Sequence, residues 1–262
     1  MRELRKCLIL FTFLIGAFNA SAQEIDAHEV NPYSVRPIRS ADIMFKRTMW
    51  LRIDLREKIN EPYNARGNRL PDLIIQAAKD GMVRPFINDS LQTRMSDQEF
   101  RNRLKEEDSG GGDDEWGDWG GGADSEIDLQ KILLVDVKED VIYDKRRGVW
   151  KNDIQAISLT VPAEFSEGGY EKVIASFSYK ELVDNLFKDN KFAIWYNEAN
   201  LSENRNLEES FDLRLFNARV LKFTTARDEF IQDIYTDPKT ALYKGLDYQM
   251  ELVEYEANLW SN

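Results

Sequence analysis

The chain has 262 residues, with 35 Lys and Arg against 47 Asp and Glu and a formal charge of −12. Such acidity opposes binding to nucleic acid or to an anionic membrane surface. Cys7 is the only cysteine and His28 the only histidine, which argues against disulfides, Cys or His metal sites, and Ser-His or Cys-His catalytic pairs.

The first 22 residues have the pattern of a secretory signal peptide. Arg2, Arg5 and Lys6 form a positive start, Leu8 to Phe18 an apolar run, and Ala20-Ser21-Ala22 a small-residue cleavage site. The run is too short to span a bilayer, which needs roughly 20 residues. Cleavage after Ala22 is expected to leave Gln23 as the new N-terminus, with 240 residues and a charge of −14 once three cations and Glu3 are gone. No Cys follows that site, so a lipid anchor and direct membrane insertion are not indicated. A soluble protein working outside the cytoplasm is expected.

Residues 23–39 read as an extended arm interrupted by Pro32 and Pro37. Residues 40–107 read as a helical region. Met44, Leu51, Leu55 and Ile59 recur at helical spacing, which predicts a first helix from Ser40 to the Glu61-Pro62 break. Pro71 to Lys79 predicts a second, with Gly81 as its C-terminal cap. Ser96 and Glu99 form a capping box for a third, with Met95 and Phe100 placed to staple its start. Residues 108–126 hold seven Gly and seven acids in nineteen positions, the composition of a flexible acidic linker.

The remaining stretch, 127–262, reads as an α+β region with C-terminal helices. Strands are predicted over Ile132 to Val137, Ile154 to Val161, Val173 to Phe177 and Phe192 to Tyr196, with a helix from Tyr179 to Lys188. Helices are predicted over Phe211 to Phe223 and Thr225 to Tyr235. Asp237-Pro238 then opens a last helix whose buried stripe would be Leu242, Leu246, Met250, Val253, Ala257 and Trp260. The fold class is therefore α+β: N-terminal helices, an acidic Gly-rich linker, a small mostly antiparallel sheet with a helix, and C-terminal helices.

Few residues suggest chemistry. Acids around the linker (Asp113, Asp114, Glu115, Asp118, Asp124, Glu126, Asp128) offer oxygens suited to Ca²⁺, but Leu129 stands where an EF-hand loop needs Gly, and a solvated linker is the plain reading. The carboxylate pairs Glu106/Glu107, Glu208/Glu209 and Glu254/Glu256 have nothing to place them in a pocket. There is no GxSxG, HExxH, P-loop or dinucleotide fingerprint. No catalytic residue, metal site or cofactor is assigned. The candidates are partner-binding residues. Trp116 and Trp119 sit in a Gly/Asp segment with no local core to explain them, and Trp50, Arg52 and Arg56 gather the residue types that dominate interfaces.

The stretch Ala41-Asp42-Ile43-Met44-Phe45-Lys46-Arg47-Thr48-Met49-Trp50-Leu51-Arg52-Ile53-Asp54-Leu55-Arg56-Glu57-Lys58-Ile59-Asn60 strongly resembles the opening helix of the GldN/PorN family of Bacteroidetes. Ile142 to Arg147 leading into the Ile154–Val161 strand, the Phe192–Tyr196 strand and the closing Glu254 to Trp260 also look like that family. The linker at 108–126 has no counterpart in the pattern. The resemblance implies a non-catalytic structural subunit of a periplasmic ring complex in the type IX secretion system, needed for protein secretion and gliding motility. It implies association with an outer-membrane lipoprotein of the GldK/PorK type, with the periplasmic part of the GldM/PorM motor subunit, and with copies of the chain itself. The alternatives are a secreted glycan-acting hydrolase using paired carboxylates and a periplasmic peptide-binding module.

Overall fold

The computed structural model describes residues 29–105, 127–166 and 168–260. The expected signal peptide and the whole of the acidic linker at 108–126 lie outside the described residues. Arm residues 29–39 cross the surface, with Val30 bridging Arg39.

The first departure from the sequence reading is at the start. Ser40–Asp42 makes only a 3₁₀ turn, and strand β1 follows over Ile43–Asp54, where a helix from Ser40 to Asn60 is expected. The 7- and 4-residue spacings of Met44, Leu51, Leu55 and Ile59 fit a helix, yet Thr48 to Asp54 also alternate strictly. Met49, Leu51 and Ile53 point one way and Trp50, Arg52 and Asp54 the other, which is the period of a strand. Tertiary pairing decides between the two periods. β1 lies between β2 (Leu134–Asp144) and β7 (Arg219–Phe223), antiparallel to both.

β3 (Val149–Val161) and β4 (Lys172–Ser178) complete a five-stranded antiparallel sheet of order β4-β3-β2-β1-β7. Residues on both sides of positions 106–126 thus build one sheet. Its apolar face carries Met49, Leu51, Ile53, Val135, Val137, Ile157, Leu159 and Phe177, all in one buried cluster. Helix α1 (Leu70–Lys79) lies in that cluster through Leu70, Ile74, Ile75 and Ala77, with Pro71 in its first turn. Gly81 follows it at φ +73°, a conformation that glycine adopts without strain. Helix α2 (Asp97–Arg103) is capped by Ser96, whose hydroxyl accepts the Glu99 amide at 3.2 Å. The Glu99 side chain turns to Arg103 at 3.0 Å, so the capping box is only half made.

Helix α3 (Tyr179–Leu182) continues as a π turn over Val183–Phe187, close to the expected span. The predicted strand at 192–196 is reduced to β5 (Ile194–Trp195), which pairs with β6 (Arg205–Asn206) in a separate two-stranded sheet. The expected helix over Phe211 to Phe223 is corrected to two elements. Helix α4 (Leu207–Asp212) ends as the chain turns left-handed at Arg214 (φ 53°), and the rest forms edge strand β7. The Leu215 amide bonds back to the Ser210 carbonyl at 2.9 Å, closing the helix C-terminus. Of the helix expected over 225–235, only α5 (Ile231–Ile234) forms.

The last helix, α6 (Pro238–Trp260), starts where expected, with Asp237 accepting from the Thr240 amide at 3.0 Å. Its packed face is not the expected one. Leu242, Leu246, Met250, Val253 and Ala257 lie exposed, with Leu242 and Leu246 at the rim of a groove beside β7, and closer contact is made through Ala241, Gly245, Tyr248 and Leu252. Small residues stand where this face comes near β7: a Cβ added at Gly245 would lie 3.6 Å from the Val220 carbonyl oxygen, in ordinary van der Waals contact.

Candidate functional surface

The second face of the sheet is polar, and its residues line up in cross-strand rows. Antiparallel register places Ser176, Ser158, Asp136, Arg52 and Arg219 in one row. The next row holds Ala156, Lys138, Trp50 and Lys222, and a third places Asp153 opposite Asp140 and Asp140 opposite Thr48. Side chains in directly opposed positions are the contacts through which a sheet is stabilised.

In the first row Arg52 grips Asp136 with both arms of its guanidinium, Nε to Oδ1 at 2.7 Å and Nη2 to Oδ2 at 2.9 Å. It also reaches Glu171 at 2.5 Å. The pair is only 12 and 16% exposed. Burial pushes the Asp136 carboxyl up, against the opposing pull of Arg52. Burial acts the other way on Arg52, but its bonds to Asp136 and Glu171 outweigh it and hold the guanidinium firmly charged.

In the second row Trp50 stands between two ammonium groups. Lys222 Nζ is 4.4 Å and Lys138 Nζ 5.2 Å from its ring centroid, within cation–π range. The indole Nε1 donates to Asp89 Oδ2 at 2.6 Å, and Lys138 donates to the Asp89 carbonyl at 3.1 Å. Asp89 comes from the loop after α1, which folds over this face with Phe86 and Leu91 against Ala156.

In the third row Asp140 accepts from Thr48 at 2.6 Å and Lys46 at 2.8 Å, while Asp153 accepts from Ser34 at 2.7 Å and Gln155 at 2.9 Å. Ser34 thereby fixes the arm to the sheet. Burial holds the Asp153 carboxyl above the usual range, with Asp140 adding to the rise and Ser34 and Lys151 opposing it. A group with a raised folded-state pKa binds its proton more tightly when folded, so it costs stability as pH rises through that value. Asp153→Asn should therefore gain on the native chain as pH rises from the carboxylate range to neutrality. Urea midpoints across pH 4 to 8 measure this, and a pH-independent difference would contradict it.

Arg56 lies beyond the end of β1 in a separate network. It bonds Asp54 through Nε at 2.9 Å and Nη2 at 2.7 Å, and Glu164 at 3.2 Å. Arg219 joins at 3.7 Å from Asp54 and 3.9 Å from Glu57. Burial would raise the Asp54 carboxyl, but the bonds from Arg56 prevail and hold it below the usual range. Arg52, Arg56 and Arg219 meet along a groove of about 340 Å³ whose other wall is apolar, with Ile231, Ala241 and Leu246.

Trp50, Arg52 and Arg56 thus share one side of the sheet, and the two arginines share a groove. Trp116 and Trp119 lie outside the described residues. The sequence reading did not pick out Asp136, Lys138, Lys222 or Asp89. For Asp136 and Lys138 the signal is their alternation with Val135 and Val137 in a strand that must pair with β1. Asp89 carried none, since only the loop fold brings it to Trp50. Around the groove, three arginines face five carboxylates (Asp54, Glu57, Asp136, Glu164, Glu171). That is an ion-pair cluster with an acidic surplus, in which each arginine is already held by acids. Among the described residues, no three His, Cys, Asp or Glu side chains gather to hold a metal ion, and no helix is long and apolar enough to cross a membrane.

Comparison with known proteins matches residues 38–261 to the family described as "Gliding motility associated protein GldN". No match is found among the curated proteins.

Proposed function

The chain belongs to the GldN family of gliding-motility-associated proteins, and from that premise we propose that it is a non-catalytic structural subunit of a periplasmic ring complex in the type IX secretion system. The observation that carries the reading is the family match over nearly all of the chain beyond the arm. The secretory pattern of residues 1–22 supports an address outside the cytoplasm. Its partners in this reading are an outer-membrane lipoprotein of the GldK/PorK type, the periplasmic part of the GldM/PorM motor subunit, and copies of the chain itself. The subunit works by presenting surfaces. The acidic surplus around the groove and the net charge of −12 favour a basic face on the lipoprotein.

The test is genetic and biochemical together. Deleting the gene should abolish protein secretion and gliding and leave the lipoprotein unstable. Pull-down by the lipoprotein should recover the chain at low salt and progressively less as salt rises. Intact secretion and motility in the deletion strain would overturn the assignment, and recovery insensitive to salt would overturn the electrostatic contact.

A further inference from the structure

The arm does more than cross the surface. With the loop that carries Asp89 it encloses a polar cavity of about 420 Å³ on the second face of the sheet, within the size range of small-molecule sites. Lys46 and Thr48 of β1, Lys138 and Asp140 of β2, and Asp153 and Gln155 of β3 make its floor. Arm residues 29–33 make one wall and loop residues 89–91 another. The walls meet where the Tyr33 hydroxyl donates to the Leu91 carbonyl at 3.1 Å, and the arm is tied to the floor where Asn31 Nδ2 donates to Gln155 Oε1 at 2.6 Å.

The charges lining this cavity do not balance. Glu29, Asp89, Asp140 and Asp153 are set against Lys46 and Lys138 alone, a surplus of two negative charges. Both lysines are engaged, Lys138 by Asp89 at 3.3 Å and Lys46 by Asp140 at 2.8 Å. Asp153 stands opposite Asp140 in the β2–β3 register and is only 6% exposed, yet its donors are the neutral Ser34 and Gln155. Nearby Lys151 turns its ammonium to the Arg36 carbonyl instead. A buried charge without a counter-ion is a cost to the fold, and the upward push on the Asp153 carboxyl from burial and from Asp140 is the mark of that cost. Each oxygen of the two carboxylates takes one of these donors and has a lone pair left for a second.

We propose that the cavity binds a small organic cation, an ammonium or guanidinium group on a short apolar stem, seated between Asp140 and Asp153. The stem has Leu91 and Ile142 to lie against. A surplus of two charges favours a free diamine, which carries two cations; a lysine side chain of another protein offers the same chemistry with one. The site does not depend on the secretion reading, since an amine could bind whatever the chain assembles with.

Calorimetry with cadaverine and with the blocked peptide acetyl-Gly-Lys-Gly-amide tests both sources on the native chain. Binding of either supports the site. Tighter binding of cadaverine, the expected result, names a free diamine, and tighter binding of the peptide names a partner's lysine. Asp153→Asn should weaken cadaverine about tenfold or more, the scale of one lost charge contact, and should abolish the rise in melting temperature that the ligand gives the native chain. That variant removes a costly charge, so its fold is kept. Asp140→Asn should weaken binding as well. Lys46→Met leaves Asp140 without its lysine and should bind cadaverine several-fold more tightly, an effect that a merely structural role for these residues would not produce. The proposal is overturned if neither probe binds at millimolar concentration, if cadaverine acetylated at both ends binds as well as cadaverine, or if Asp153→Asn leaves the affinity unchanged.

Discussion

Arg52→Ala is expected to cost the fold about 3 kcal/mol at neutral pH, the scale for removing one partner of a buried ion pair. Asp136 would keep its place in the middle of the sheet face with only Thr160 at 3.4 Å to bond it. The loss of the less buried Glu171 contact, to a carboxylate 45% exposed, adds little. The penalty carries a pH signature. Burial already raises the Asp136 carboxyl, and without Arg52 it rises further, so acidification neutralises the stranded charge and the variant recovers relative to the native chain. Arg52→Met with Asp136→Leu should recover most of the loss at neutral pH, because both charges leave together. Urea unfolding of the two variants and the native chain at neutral and acid pH decides the matter. A single Ala variant as stable as the native chain would show that the pair carries no net weight.

Phe211→Ala should be at least as damaging, at about 3–5 kcal/mol. Phe211 is 1% exposed and sits at the centre of an aromatic group. Phe187 stacks on it at 5.9 Å with an interplanar angle of 10°, and Tyr63, Tyr179 and Phe216 surround it at 5.5 to 5.8 Å. These rings come from the turn after β1, from α3 and from the end of α4, so the cavity would loosen three parts of the chain at once. A fall in melting temperature of about ten degrees is expected for a chain of this size. Phe211→Leu, which keeps most of the volume, should cost about 1.5 kcal/mol or less. Similar losses for both variants would mean that the site collapses around either residue.

The elements that were legible in the sequence carry local signals. Pro71 and Gly81 bracket α1, Ser96 caps α2, Asp237 caps α6, and Ile157, Leu159 and Val161 alternate in β3. The elements misread are those whose local pattern fits two periods. β1 contains both a helical spacing of large apolar residues and a strict alternation, and only β2, far along the chain, settles it. α4 and β7 read as one helix because Leu213 to Ala218 holds no Gly or Pro, and Arg214 takes the left-handed turn that glycine usually marks. That residue is compensated elsewhere: its guanidinium reaches the buried Glu139 at 2.6 Å. The candidate surface was half legible. Trp50 and Arg52 stand out by residue type, but their partners Lys222, Asp89 and Glu171 are distant in sequence. The last helix shows the same ambiguity at another level. Its periodicity reveals two apolar faces, and only the small residues Ala241 and Gly245 tell which one meets the sheet.

The order of strands sets a schedule for folding. β1 is made early, yet one neighbour begins at Leu134 and the other at Arg219. Whatever the rate at which the chain is delivered, Met49, Leu51 and Ile53 emerge before either neighbour and have no sheet to join until β2 follows. β2, β3 and β4 follow one another as hairpins and can form a nucleus by short-range closure, whereas β1 and β7 must dock across long loops, which is slow. A strand that waits so long with both edges open is the part of this chain most exposed to wrong pairing, so slow release or a holding chaperone would serve β1 more than any other element.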